Sequence, residues 1–217
     1  MEDSNLDLYK NSTTKQPKIM KKPQLFGRAI LSIGILTLSL GAVSCKQDAK
    51  QEDPKEVAKE ENEAKLEEAK DAGELSEALI DIAEFDLTQR ELGKLAQVNG
   101  VSADVKALGK MMENHHDESY KDLVELAKSK SISVPTAITK DGQDEYDDLK
   151  KVTAKDFDKE YLTDVLKDHK EAIDDFRKEA EKTTDVEVKA YLERKVTSLS
   201  GHHQSAENLA TKLNINK

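Results

Sequence analysis

FDKEYLTDVLKDHKEAIDDF, residues 157–176, decides the fold class of this chain. At about 100° per residue, Phe157, Tyr161, Val165, Ala172 and Phe176 fall on one stripe, and charged residues fill the rest of each turn. A strand would alternate with period two, and this stretch does not. His169 sits near the middle of the apolar stripe. The periodic pattern extends over 154–182, entered through Thr153.

The same helical spacing governs the sequence on both sides. A first helix is expected over 74–98 and stops at Asn99–Gly100, a C-terminal signal. A second starts near Ser102, whose side chain can cap it, and runs to Lys130. A loop with Ser131, Ser133 and Pro135 follows, then a short helix over 141–151. The third is the stretch quoted above, and the fourth runs from Thr184 or Asp185 to Leu213. Nothing from Glu74 onward reads as a strand. Residues 74–217 are therefore expected as one all-α domain, an up-down four-helix bundle with a short extra helix between helices two and three. Trp is absent and aromatic residues are 4%, so Leu, Val, Ile and Ala must supply most of the core.

All five histidines fall in this domain. On helix four, Val188, Tyr191, Leu199, Ala206, Leu209 and Leu213 form the stripe. His202 lies inside that stripe, and His203 is about 70° off, at its edge. On helix two, Val105, Leu108, Met112, Leu123 and Leu126 leave His115 and His116 equally far from the centre, on opposite sides. Helix one turns Gln89 inward, between Phe85 and Leu92, and turns Glu91 away. Three helices thus bring a histidine to the buried face near mid-helix, at similar depth. Two readings follow. The imidazoles form a hydrogen-bonded polar layer that fixes helix register, or they converge on a metal. In the second reading Glu113, three residues before His116, is a candidate ligand, and Asp168 a candidate ligand or supporting group.

The chain before Glu74 is of another kind. Lys21 and Lys22 precede a mostly apolar run from Leu25 to Leu40, then Gly41, Ala42, Val43, Ser44 and the only cysteine, Cys45. The apolar core is shorter than the roughly 20 residues a spanning helix needs. A basic start, a short apolar core and small residues before a cut read as a secretory signal over 20–44. With Cys45 at the cut, it looks like a bacterial lipoprotein signal whose thiol takes the lipid. Translation is expected to begin at Met20, leaving 1–19 as an upstream extension. Residues 45–73 are mostly charged, with few side chains large enough for a core, and are expected as a flexible tether.

Charge narrows the function classes. The chain has 34 Lys and Arg against 44 Asp and Glu. Residues 1–44 hold 6 and 3 of these, leaving 28 against 41, a formal −13. Nucleic acid is a poor partner for such a surface, because phosphate contacts rest on Lys and Arg. With Cys45 carrying lipid, no internal disulfide forms. No cysteine or serine nucleophile with a positioned base and no glycine-rich phosphate loop is evident, so a catalytic role is not expected.

One resemblance adds to this. Glu91 to Ala96, Val105-Lys106, Met111-Met112 and His116 carry its first half. Val134-Pro135, Phe157 to Leu162, Asp168-His169 and Leu199-x-x-His202 carry the second. In order and spacing over 76–213 they resemble the ferritin-like bacterial domain-of-unknown-function family 4142, described as outer-membrane or periplasmic proteins. The resemblance implies a ferritin-like bundle, and by motif position it selects His116 over His115 and His202 over His203. With the family described as outer-membrane or periplasmic, an outer-membrane location facing the periplasm or the surface is the expectation; ferritin-like bundles often pair, so a homodimer is one open state. The resemblance brings no established activity. The chain departs from the diiron pattern, since Leu166 and Leu199 stand three residues before His169 and His202 where glutamates would be needed. A carboxylate-bridged iron pair is therefore not expected.

The expectation is a lipid-anchored envelope protein with a non-catalytic binding or structural role. The alternative is a single divalent ion, copper, zinc or nickel, held by His116, His169 and His202 with Glu113, and a metal-dependent oxidase ranks below that.

Overall fold

The computed structural model describes residues 52–66 and 70–215. The expected signal segment over 20–44, the expected start at Met20 and the expected lipid site Cys45 lie outside the described residues. Among those described there are six helices and no strand: α1 (Pro54–Leu66), α2 (Lys70–Asn99), α3 (Ala103–Ser129), α4 (Lys140–Lys151), α5 (Ala154–Lys182) and α6 (Val186–Lys212). No helix among them is long and apolar enough to cross a membrane. The predicted helices one to four correspond to α2, α3, α5 and α6, and α4 is the short extra helix.

Local chemistry sets the boundaries. Ser102 Oγ accepts from the amide of Asp104 at 3.2 Å and opens α3. Thr139 Oγ1 accepts from the amide of Gly142 at 3.2 Å and opens α4. Asp185 Oδ1 takes the amides of Glu187 and Val188 and opens α6. Each cap satisfies donors that the first helical turn leaves free.

α2 and α3 form a tight antiparallel hairpin. A Cβ on Gly93 would meet the Gly109 carbonyl at 2.6 Å, and one on Gly109 would meet the Gly93 carbonyl at 2.7 Å. Only glycine allows the two backbones this close. α5 and α6 pair in the same antiparallel way. α3 is antiparallel to α6: Asp104 meets Lys212 at 2.7 Å near one end, and Lys130 meets Asp185 at 2.6 Å at the other. α2 is antiparallel to α5, with Gln89 beside Asp168 and Phe85 beside Phe176.

These pairings correct the plain up-down order. α3 and α5 run the same way, so the helices go up, down, down, up, and the connection 130–153 must travel the length of the bundle. α4 supplies part of that distance, about 18 Å for its 12 residues. It runs parallel to α2: Thr139 donates to Glu84 at 2.6 Å, Gly142 touches Thr88, and Leu149 joins the cluster containing Leu92.

Residues 54–66, expected as part of a tether, are a docked helix. Ala58 and Asn62 are buried. The Asn62 amide donates to the Ser133 carbonyl at 2.8 Å, and its Oδ1 accepts the Ser133 amide at 2.7 Å. Lys55 reaches Asp81 at 3.0 Å and Glu84 at 2.5 Å. A small side chain, one amide and ion pairs hold α1, so it shows almost no apolar stripe.

The interior has three levels. One apolar cluster includes Leu92, Met112, Phe157, Val165 and Leu209. The other includes Leu79, Leu123, Phe176, Leu192 and Leu199. Every long helix passes from one to the other through buried polar residues: Asp86 and Gln89 on α2, His116 on α3, His169 on α5, Lys195 and His202 on α6.

Candidate metal centre

His116 and His169 are fully buried and His202 is 4% exposed. Their ring centroids are 5.1 to 5.4 Å apart, nearly an equilateral triangle. Each offers one ring nitrogen within 4.8 Å of the other two. Among the described residues this is the grouping able to hold an ion by at least three histidine, cysteine or carboxylate ligands. α3, α5 and α6 each contribute one ring, and Phe85 of α2 packs edge-on against His116 and His169 at 5.4 Å.

Hydrogen bonds fix the tautomers of two rings. His169 Nδ1 lies 2.9 Å from the Val165 carbonyl, which can only accept, so the proton is on Nδ1. His116 Nδ1 lies 2.7 Å from Asp86 Oδ1, which as a carboxylate also accepts. Each ring therefore has its lone pair on Nε2. Those two Nε2 atoms face each other at 3.3 Å. Two lone pairs at that distance repel, and neither ring has a proton left to place between them. A tetrahedral ion with metal–nitrogen bonds near 2.0–2.1 Å separates its ligand nitrogens by about 3.3–3.4 Å. A backbone carbonyl or a carboxylate on the far nitrogen is also how ligating histidines are oriented.

The third ring is arranged differently. His202 Nε2 lies 2.9 Å from His115 Nδ1, and His202 Nδ1 is buried without a partner. With Nε2–H donating to His115, His202 keeps a lone pair on Nδ1. His115 itself is exposed and stacks on His202 at 5.1 Å. It caps the layer from outside.

Burial keeps the trio neutral, which ligation requires. Burial lowers His116, partly opposed by its bond to Asp86. His169 is pushed well below the usual histidine range, by burial first and then by His116 and His202. His202 is pushed down to about 3, again mainly by burial. For Asp86, burial works toward a higher value, but the Lys195 charge and the His116 hydrogen bond outweigh it and hold the carboxylate below its usual range. Lys195, buried on α6, pairs with Asp86 across the bundle and donates to Ser119 Oγ at 2.7 Å. Ser119 in turn meets Tyr191 at 3.1 Å. Asp86 Oδ2 has no hydrogen-bond partner.

Glu113 is not part of this layer. It accepts from Gln97 at 2.9 Å and from Lys110 at 2.8 Å, on the flank of the α2–α3 hairpin. Three residues turn a helix by about 300°, so with His116 aimed at the core, Glu113 points some 60° away. Asp168 also stays outside, taking Gln89 at 3.4 Å and the exposed Lys167 at 3.4 Å. Asp86 and Lys195 were not singled out from the sequence, although both carry the signal. Asp86 continues the spacing of Leu79, Ile82 and Ala83, and Lys195 lies seven residues from both Val188 and His202. A charged residue on an apolar spacing is a buried partner in waiting.

The family profile described as domain of unknown function (DUF4142) matches residues 55–209. The chain belongs to this family. The matched span runs from the start of α1 to the last turn of α6, so the DUF4142 unit includes the docked first helix and all three histidines. No curated protein and no solved structure gives a significant match.

Proposed function

We propose that this DUF4142 protein is a metal-binding helical bundle of the cell envelope, holding one copper, zinc or nickel ion through His116, His169 and His202. The observation that carries the reading is the pair of His116 and His169 Nε2 atoms, both without a proton, facing each other at 3.3 Å. Three imidazoles suit these borderline ions better than calcium or magnesium. The single long crossover is the arrangement of ferritin-like bundles, and we read the fold as ferritin-like with a nitrogen-rich centre in place of a carboxylate-bridged one. Attachment through lipid on Cys45, at the outer membrane, belongs to the same proposal. The bound ion clamps α3, α5 and α6 together.

A second reading rests on the Asp86–Lys195 pair, which already ties α2 to α6 without metal. In that reading the whole layer only sets helix register. Metal content by mass spectrometry separates the two. After exposure to copper, zinc and nickel in turn, the wild-type chain is expected to keep close to one equivalent of one of them, and His169→Ala to keep none. Wild-type protein that keeps none after dialysis contradicts the proposal and leaves the register reading.

A further inference from the structure

A groove of about 890 Å³ runs along α2, α4 and α5, lined by ten carboxylate residues and two lysines. Acidic lining alone means little in so acidic a chain. Three buried oxygen atoms on its wall are a different matter. Gln89 is 2% exposed, lines the groove, and its Oε1 has no hydrogen-bond partner. Thr88 Oγ1, on the same wall, is also buried and unpartnered, and buried Glu145 Oε1 has only the Asp168 carboxyl group beside it. Six buried side-chain polar atoms lack partners among the described residues, and half of them are here. Buried acceptors left unmatched are costly, so a cluster of them needs a reason.

The packing brings them together. Gly142 lets α4 approach α2: a Cβ there would stand 2.2 Å from Thr88 Oγ1. One turn on, Glu145 faces Asp168 of α5. Asp168 Oδ2 takes the Gln89 side-chain amide at 3.4 Å, a long contact, and its Oδ1 meets the exposed Lys167 at 3.4 Å. An amide and a carboxylate at that separation are also spaced to share one ion, with the amide turned to offer its oxygen.

We propose that Gln89, Glu145 and Asp168, with Thr88 beside them, form an all-oxygen site for a hard divalent cation such as manganese, calcium or magnesium, separate from the histidine layer. Two carboxylates, an amide oxygen, a hydroxyl and water are the donors such ions take. The cation neutralises the carboxylates that the exposed Lys167 leaves uncompensated. The remaining carboxylates of the groove raise the local cation concentration at its mouth. The nitrogen trio and the oxygen set sort ions by softness, so one bundle binds two kinds of metal.

The test is a titration of the full chain with manganese(II), reading the six-line electron paramagnetic resonance signal of the free ion, with calcium as competitor. The wild-type chain is expected to take up one equivalent, and Glu145→Gln and Asp168→Asn to weaken uptake at least tenfold. His169→Ala is expected to leave it unchanged. Glu145→Gln relieves a like-charge contact and is expected to melt no lower than wild type without cation, which keeps the loss interpretable. Uptake that survives both carboxylate variants would mean diffuse surface charge and overturn the proposal. So would uptake lost in His169→Ala alone, or none at millimolar manganese. Zinc or copper content unchanged in Glu145→Gln keeps this result distinct from that of the histidine site.

Discussion

Leu92, Met112, Phe157 and Leu209 near one end of the bundle, and Leu79, Leu123, Phe176 and Leu192 near the other, do a job that many apolar residues of similar volume could do. Between them, the same four helices bury three imidazoles, an ammonium and a carboxylate, none of which fills space better than leucine. The apolar levels gain free energy by leaving water. The polar level loses hydration and recovers it only where each group finds a partner. It does so incompletely, since Asp86 Oδ2 and His202 Nδ1 are unmatched and two Nε2 lone pairs oppose each other. A layer kept only for packing has no use for two facing lone pairs, and the proposed ion would sit between them.

The contrast is broken most strongly by removing one charge from the polar level. Lys195→Met leaves the Asp86 charge buried without its counter-ion, with only the neutral His116 bonded to it, and is expected to cost about 3–5 kcal/mol in denaturant unfolding. Leu192→Ala, an ordinary cavity in the apolar level, is expected to cost about 2–4 kcal/mol. The apolar cost should be the same with and without added metal, and the variant should still bind it. If Lys195→Met proves milder than Leu192→Ala, the ion pair is not the strut described here.

Acid sharpens the same comparison. The trio is held neutral in the fold, with folded values below the ordinary histidine range, so the unfolded chain takes up protons first. Stability is then present above about pH 6.5 and declines as pH falls toward the folded values. For His202, at about 3, the loss by pH 4.5 is about 2–3 kcal/mol. Unfolding curves between pH 7 and 4.5 should show this slope in the wild type and in Leu192→Ala alike, and a shallower one in His169→Ala.

Much of this was legible from residue spacing. The long helices carry apolar stripes over many turns, and the same spacing put His169 and His202 inside. His115 and His116 stand symmetrically about their stripe; the family resemblance selects His116, and the packing of α2, through Asp86, gives the physical reason. Helix lengths carry no direction, so the parallel course of α3 and α5 was not visible. α1 carries no hydrophobic pattern in the sequence, because its docking rests on Ala58, Asn62 and Lys55. Asn62→Ala removes both bonds to Ser133 and is expected to cost about 1–2 kcal/mol, seen as faster amide exchange over 54–66. Unchanged exchange there would return α1 to a tether.

Glu113 marks where spacing misled, because i,i+3 placed it beside His116 while Lys110 and Gln97 hold it on the flank. Glu113→Gln should change stability by no more than about 0.5 kcal/mol and leave metal content as it was. Loss of metal in that variant would restore it as a ligand.

The most direct test of the central claim is X-ray absorption at the edge of the ion that the wild-type chain retains. The account requires a first shell containing three nitrogens, at about 2.0–2.1 Å for zinc, with the outer-shell scattering of imidazole, and its loss in His169→Ala. A first shell of oxygen alone, without imidazole scattering, would contradict it.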